Sequence, residues 1–117
     1  MTEKVLPGIR EIEKQMVALR RHIHANPELG YEEFKTSDMV AEMLAMWGYE
    51  VHRGLGGTGV VGTLKRGKRD RKLGIRADMD ALPLQEKTGL NYASTIPGKM
   101  HACGHDGHTS ILLTAAH

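Results

Sequence analysis

The sequence predicts an α/β domain, and three observations predict it. Two segments repeat apolar residues at helical spacing, shorter β-branched runs follow them, and the stretches between are punctuated by glycine and proline. At 117 residues the chain holds one domain's worth of core. Aromatic residues make up only 4% of it, so that core has to be built from aliphatic side chains and methionine.

The first helix is predicted over residues 7–25, where Ile9, Ile12, Met16, Leu19 and Ile23 form one stripe. Pro7 suits a first turn, and "NPELG" (residues 26–30) is a stop. A second stripe over residues 32–47 comprises Phe34, Met39, Val40, Met43, Leu44 and Trp47, and ends at Gly48. "YEVHR" (49–53) reads as a short strand. "GVVGTLKR" (59–66) and "KLGIRAD" (72–78), joined by a polar turn containing glycine, read as a hairpin. Residues 81–99 read as loop, with Pro83, Gly89, Pro97 and Gly98 as breakers. "HTSILLTAAH" (108–117) opens a further helix, with Asp106 as the expected N-cap. That helix carries no stop signal and follows a long irregular loop, so the chain reads as the front piece of something larger.

Several function classes are disfavoured. A net charge of +2 is too small a bias for nucleic acid or a membrane surface. The basic run "KRGKRDRK" (65–72) is interrupted by Asp70, lacks interleaved aromatics, and reads as a solvated turn. "GLGGTG" (54–59) fits the dinucleotide-binding pattern, but a strand follows it where a helix is required, so a flexible turn is expected. No apolar run approaches the roughly 20 residues that span a bilayer. The opening "MTEKVLPGIREIEKQ" has no apolar core of a secretory signal, and one cysteine makes no internal disulfide. A reducing, cytoplasmic location is expected. His22 and His24, near the end of the first helix, fall on different faces and are expected to be structural.

Chemistry concentrates in "MHACGHDGHT" (100–109). Cys103 and His105 flank a single glycine. In extended backbone such residues point to one side, about 6.5–7 Å apart, so thiolate and imidazole can converge on one ion. That donor pair suits zinc before magnesium or calcium. His101 and His108 are further candidates. The competing reading is a buried thiol beside a surface histidine. A second constellation, "GIRADMDALP" (74–83), places Asp78 and Asp80 at the end of a predicted strand, with Arg76 before them. They are either solvated turn residues or part of a polar cleft that completes or orients a metal site.

"RRHIHANPELGYEE", "GIRADMDALPLQE" and "MHACGHDGHTSILL" together resemble the N-terminal third of the bacterial hippurate hydrolases, within the N-acyl-amino-acid amidohydrolases that include plant auxin-conjugate hydrolases. The resemblance covers essentially the whole chain. It implies a three-layer, zinc-peptidase-like α/β catalytic domain, of which residues 1–117 are the N-terminal part, cut before a second, dimerising domain. It implies a pair of divalent metals (zinc, manganese, cobalt or nickel), a small N-acyl amino acid as substrate, no nucleic-acid or membrane partner, and a homodimer or higher oligomer for the full-length protein. Cys103 and His105 match metal ligands. Asp80 matches the aspartate that orients a ligand, the one catalytic position carried by this chain, and Asp78 falls where the broader metallopeptidase group has a histidine ligand. The family's paired glutamates and later histidines lie past His117.

The expected chemistry is amide hydrolysis by metal-activated water, with these 117 residues alone inactive. Two other readings stand beside it. In one, Cys103 is a nucleophile with a histidine base; in the other, the chain is a non-catalytic metal-binding or interaction module, with Cys103, His105, His101 and His108 closing a four-ligand set.

Overall fold

The computed structural model describes residues 4–117; residues 1–3, the start of the stretch weighed for a secretory signal, lie outside the described residues. Helix α1 (Pro7–Ala25) spans the predicted segment. Proline at its start has no N–H to leave unpaired. At its end the Asn26 side-chain amide donates to the His22 carbonyl at 2.8 Å. The buried side of α1 carries Met16, Ile23 and His24, so a polar ring shares the apolar stripe.

Helix α2 (Phe34–Met46) falls inside the predicted segment. Its first-turn N–H groups, which have no partner within the helix, are met from upstream by Glu28 of "NPELG". That carboxylate accepts from the backbone N–H of Lys35 at 3.0 Å and Thr36 at 2.7 Å, and from the Thr36 hydroxyl at 2.6 Å. Negative charge at this helix end also complements the macrodipole. Gly48, at φ 87°, closes the helix in a left-handed conformation that glycine adopts freely.

The strands differ from expectation. Strands β1 (Glu50–Leu55) and β2 (Gly59–Thr63) form an antiparallel pair, with Glu50 opposite Thr63 and Arg53 opposite Val60. The hairpin is therefore built from "YEVHR" and "GVVGT", and "GLGGTG" supplies its turn. Residues 72–78, expected as the partner of 59–66, form no strand among the described residues, and Leu73 and Ile75 are exposed. A β-branched run becomes a strand only where another backbone completes its ladder. Here the short glycine turn gives β2 to β1. The ladder bulges between Arg53 and Leu55, and at Gly59, paired with Leu55, the backbone closes so tightly that a Cβ would sit 2.4 Å from the Leu55 carbonyl oxygen.

Helix α3 (His105–Ala116) lies against α1, and α2 lies between the hairpin and α3. Val40, Leu44 and Leu113 form the core where these elements meet, flanked by Leu19, Trp47, Tyr49, Val60 and Met79. The Tyr49 hydroxyl donates to the Ala116 carbonyl at 2.9 Å and ties the hairpin end to α3. Among the described residues, no helix is long and apolar enough to cross a membrane.

Candidate metal centre

Two irregular stretches and one helix start form the site. Residues 77–80 are held on both sides. The Ala81 N–H donates to the Glu28 carbonyl at 2.7 Å, and Leu82 and Met100 exchange backbone hydrogen bonds at 2.9 and 3.0 Å. Thr109, in the first turns of α3, donates its hydroxyl to the Asp78 carbonyl at 2.9 Å. Gly104, at φ 83° and ψ 8°, turns the chain directly into α3. Residues 103–105 are thus a turn rather than the extended run expected from the sequence. Helix α3 also begins three residues earlier than the predicted segment. Asp106 lies inside its first turn, and its side chain makes no N-cap hydrogen bond.

These constraints bring Asp78, His105 and His108 together, each offering a ligand atom within 4.8 Å of the other two. His105 Nε2 lies 3.3 Å from Asp78 Oδ2, and His108 Nδ1 lies 2.7 Å from Asp78 Oδ1. The two imidazoles stack with centroids 5.4 Å apart. On its other edge, His105 Nδ1 lies 2.9 Å from Asp80 Oδ1. Asp80 thus fixes the His105 ring and its tautomer, leaving Nε2 turned toward Asp78. The hydrogen bond from His108 and the nearby His105 ring hold the Asp78 carboxyl below the usual range, although its partial burial opposes this. Arg76 extends into solvent, its guanidinium 3.9 Å from Asp78.

One carboxylate oxygen and two imidazole nitrogens form a donor set suited to zinc and neighbouring divalent transition metals. A carboxylate on the far nitrogen of a ligating histidine is the usual orienting arrangement around such ions. Cys103 lies two residues before His105, exposed and free of any disulfide, and outside the group of three. The buried-thiol alternative is not what the fold displays, since the thiol is exposed and the His105 side chain is only 16% exposed.

Beside this site lies a buried polar cluster. Asp106 is 1% exposed, and its Oδ2 accepts from His24 Nδ1 at 2.8 Å and Arg20 Nε at 2.9 Å. His24 Nε2 lies 2.9 Å from Glu86 Oε1, which also accepts the Ser94 N–H at 2.9 Å, while Thr88 donates to the other oxygen. Burial alone would raise the Asp106 and Glu86 carboxyls. Hydrogen bonds from His24 and the Gly107 N–H, with the Arg20 charge, outweigh it at Asp106, and those from Thr88, Ser94 and His24 outweigh it at Glu86; both end below their usual range. His101 is buried with both ring nitrogens unpartnered, and burial lowers its proton affinity.

The sequence reading missed this cluster. His24 is structural, as expected, and forms a buried bridge between two carboxylates. One signal was present: Arg20 and His24, four residues apart, share a face with the buried Met16 and Ile23. The partners Glu86 and Asp106, 62 and 82 residues away from His24, gave no local sign.

Residues 74–117 match the model of Peptidase family M20/M25/M40. The chain is 54% identical over 112 residues to the hippurate hydrolase of Campylobacter jejuni, covering 96% of this chain and 29% of that protein. It is 45% identical over 115 residues to an N-acyl-L-amino acid amidohydrolase of Geobacillus stearothermophilus, covering 97% of this chain and 31% of the relative. Among solved structures, it superposes on the Bacillus subtilis YXEP protein, described as a dinuclear metal binding peptidase from the M20 family. That match has a TM-score of 0.83 and 37% identity, over 89% of this chain and 29% of that one. The family resemblance drawn from the three motifs is found in sequence and in fold. The chain spans less than a third of the length of these relatives.

Proposed function

We propose that these residues are the N-terminal, metal-binding part of the catalytic domain of a metal-dependent amidohydrolase of Peptidase family M20/M25/M40, one that cleaves the amide of N-acyl amino acids. The observation that carries this reading is the convergence of Asp78, His105 and His108, with Asp80 on the far edge of the His105 ring. The similarity to a hippurate hydrolase and an N-acyl-L-amino acid amidohydrolase supports the substrate class, and the dinuclear relative supports a pair of ions.

In this reading His105, through Nε2, and Cys103 are metal ligands. Zinc, manganese, cobalt and nickel are the candidates. Asp78 and His108 stand where they can complete the set, and Asp80 orients His105. Bound divalent metal supplies Lewis acidity, polarising the scissile carbonyl and acidifying water. The chain's own residues hold and aim the ligands. Asp80 keeps the His105 Nδ1 proton, so Nε2 stays free to coordinate. The positive end of α3 sits beside the site, where it favours anionic groups. A proton-transferring carboxylate would come from residues outside these 117, and the chain alone is expected to be inactive. The substrate is a small molecule, the full-length protein a homodimer or larger, and its location the cytoplasm.

The test is release of free amino acid from hippurate and other N-acyl amino acids by the full-length protein loaded with each metal. Chelator should abolish activity and metal should restore it, while Cys103→Ser and His105→Ala should each lose at least about a hundredfold. Activity untouched by chelator but lost on thiol alkylation would transfer the chemistry to Cys103 as nucleophile.

A further inference from the structure

We infer that His24 is a positioning residue for the metal centre: held between Glu86 and Asp106, it fixes the first turn of α3 and, through it, the ring of His105. This rests on the metal-centre reading above.

Three parts of the chain that are distant in sequence meet in one imidazole. Helix α1 contributes His24 and, one turn earlier, Arg20; residues 86–94 contribute Glu86 with its Thr88 and Ser94 donors; α3 contributes Asp106. The two ring nitrogens lie on opposite edges, so a single imidazole reaches both carboxylates, Nδ1 at Asp106 and Nε2 at Glu86. No other side chain offers that geometry at this length. Tyr92 closes the cluster edge-on to His24 at 5.6 Å between centroids, and the unpartnered His101 ring lies 6.5 Å away.

Asp106 follows His105 directly in the first turn of α3, so a shift of the Asp106 anchor is passed to His105 with little attenuation. The 2.9 Å contact to Asp80 and the 3.3 Å approach to Asp78 both depend on where that turn starts. Metal sites tolerate displacements of only about 0.2 Å in ligand distance. A residue that touches neither metal nor ligand can therefore set the affinity of the site.

The test compares Co²⁺ affinity, by competition against a chromophoric chelator, and the Co²⁺ absorption spectrum in the full-length wild-type protein, His24→Gln and Glu86→Gln. Each variant is first matched to wild type by far-UV circular dichroism. The expected result is Co²⁺ binding weakened about tenfold or more, with an altered spectrum, in variants that are folded. A purely structural His24 would lower the urea midpoint yet leave the folded protein's affinity and spectrum at wild-type values, and that result overturns the inference while the metal centre stands. Should His24→Gln not fold, Glu86→Gln alone decides, since it loosens the same ring from the side away from α3. A full-length wild-type protein that binds no Co²⁺ would overturn the metal-centre reading and this inference with it.

Discussion

Replacing Asp106 by alanine should cost about 3–5 kcal/mol of folding stability, the range for removing one partner from a buried ionic pair. The structure apportions that loss. His24 is buried, and without Asp106 its Nδ1 faces no acceptor. The Gly107 N–H loses the same carboxylate. A buried donor left unpaired, as His24 Nδ1 would be, costs about 1–3 kcal/mol, and the half-buried Gly107 N–H costs less because water can reach it. The Arg20 side chain is 38% exposed and regains water, so its share is at most about 1 kcal/mol. A domain of this size is stable by only about 5–15 kcal/mol, so the loss takes a large fraction of the total. Urea unfolding followed by circular dichroism at neutral pH should show a much lower midpoint for Asp106→Ala with an unchanged slope. Arg20→Gln should move the midpoint only slightly. An Asp106→Ala variant within about 1 kcal/mol of wild type, or an Arg20→Gln variant equally damaged, would refute the reasoning.

Acid should unfold the protein through the same cluster. Asp106 and Glu86 ionise below their ordinary values when folded, so in acid the unfolded chain binds more protons at these groups. The carboxylates' contribution is present above about pH 4 to 5 and is lost as pH falls through the depressed folded values, while buried His101, whose proton affinity is lowered, already costs stability as pH falls below about 6.5; stability measured from pH 7 to 2 should decline gently at first and fall steeply below about pH 4, and a flat profile there would contradict it. Gly62→Ala should cost about 1–3 kcal/mol, because its Cβ would sit 2.9 Å from Leu44 Cδ1 and 3.3 Å from Tyr49 Cδ1 at the edge of the core; a thermal melt checks it. Leu113→Ala should cost about 2–5 kcal/mol by emptying the middle of the Val40–Leu44–Leu113 cluster, read from the urea midpoint.

Local features were legible and pairings were not. Both long helices follow from apolar spacing and their stop residues, because a helix satisfies its backbone within its own segment. The hairpin was assigned to the wrong pair because strand identity depends on a partner, and "KLGIRAD" has the composition of a strand without one among the described residues. Asp106 looked like a cap because a short polar residue before an apolar run usually is one. Instead, α1 supplied two donors that draw its carboxylate inward. In the site, the density of Cys103, His105 and His108 and the spacing of Asp78 and Asp80 were visible in the sequence. That residues 77–80 lie against the start of α3 was not, because that contact is set by Thr109 and by pairings with Glu28 and Met100.

The central claim is that His105 and Cys103 belong to one metal centre beside Asp78 and His108. Its most direct test is Co²⁺ titration of the purified full-length protein, wild type against Cys103→Ser and His105→Ala. The account predicts a near-ultraviolet thiolate-to-metal band in the wild type that vanishes in Cys103→Ser, with affinity falling about tenfold or more in both variants. Equal affinity in all three proteins, with no thiolate band in any, would contradict it.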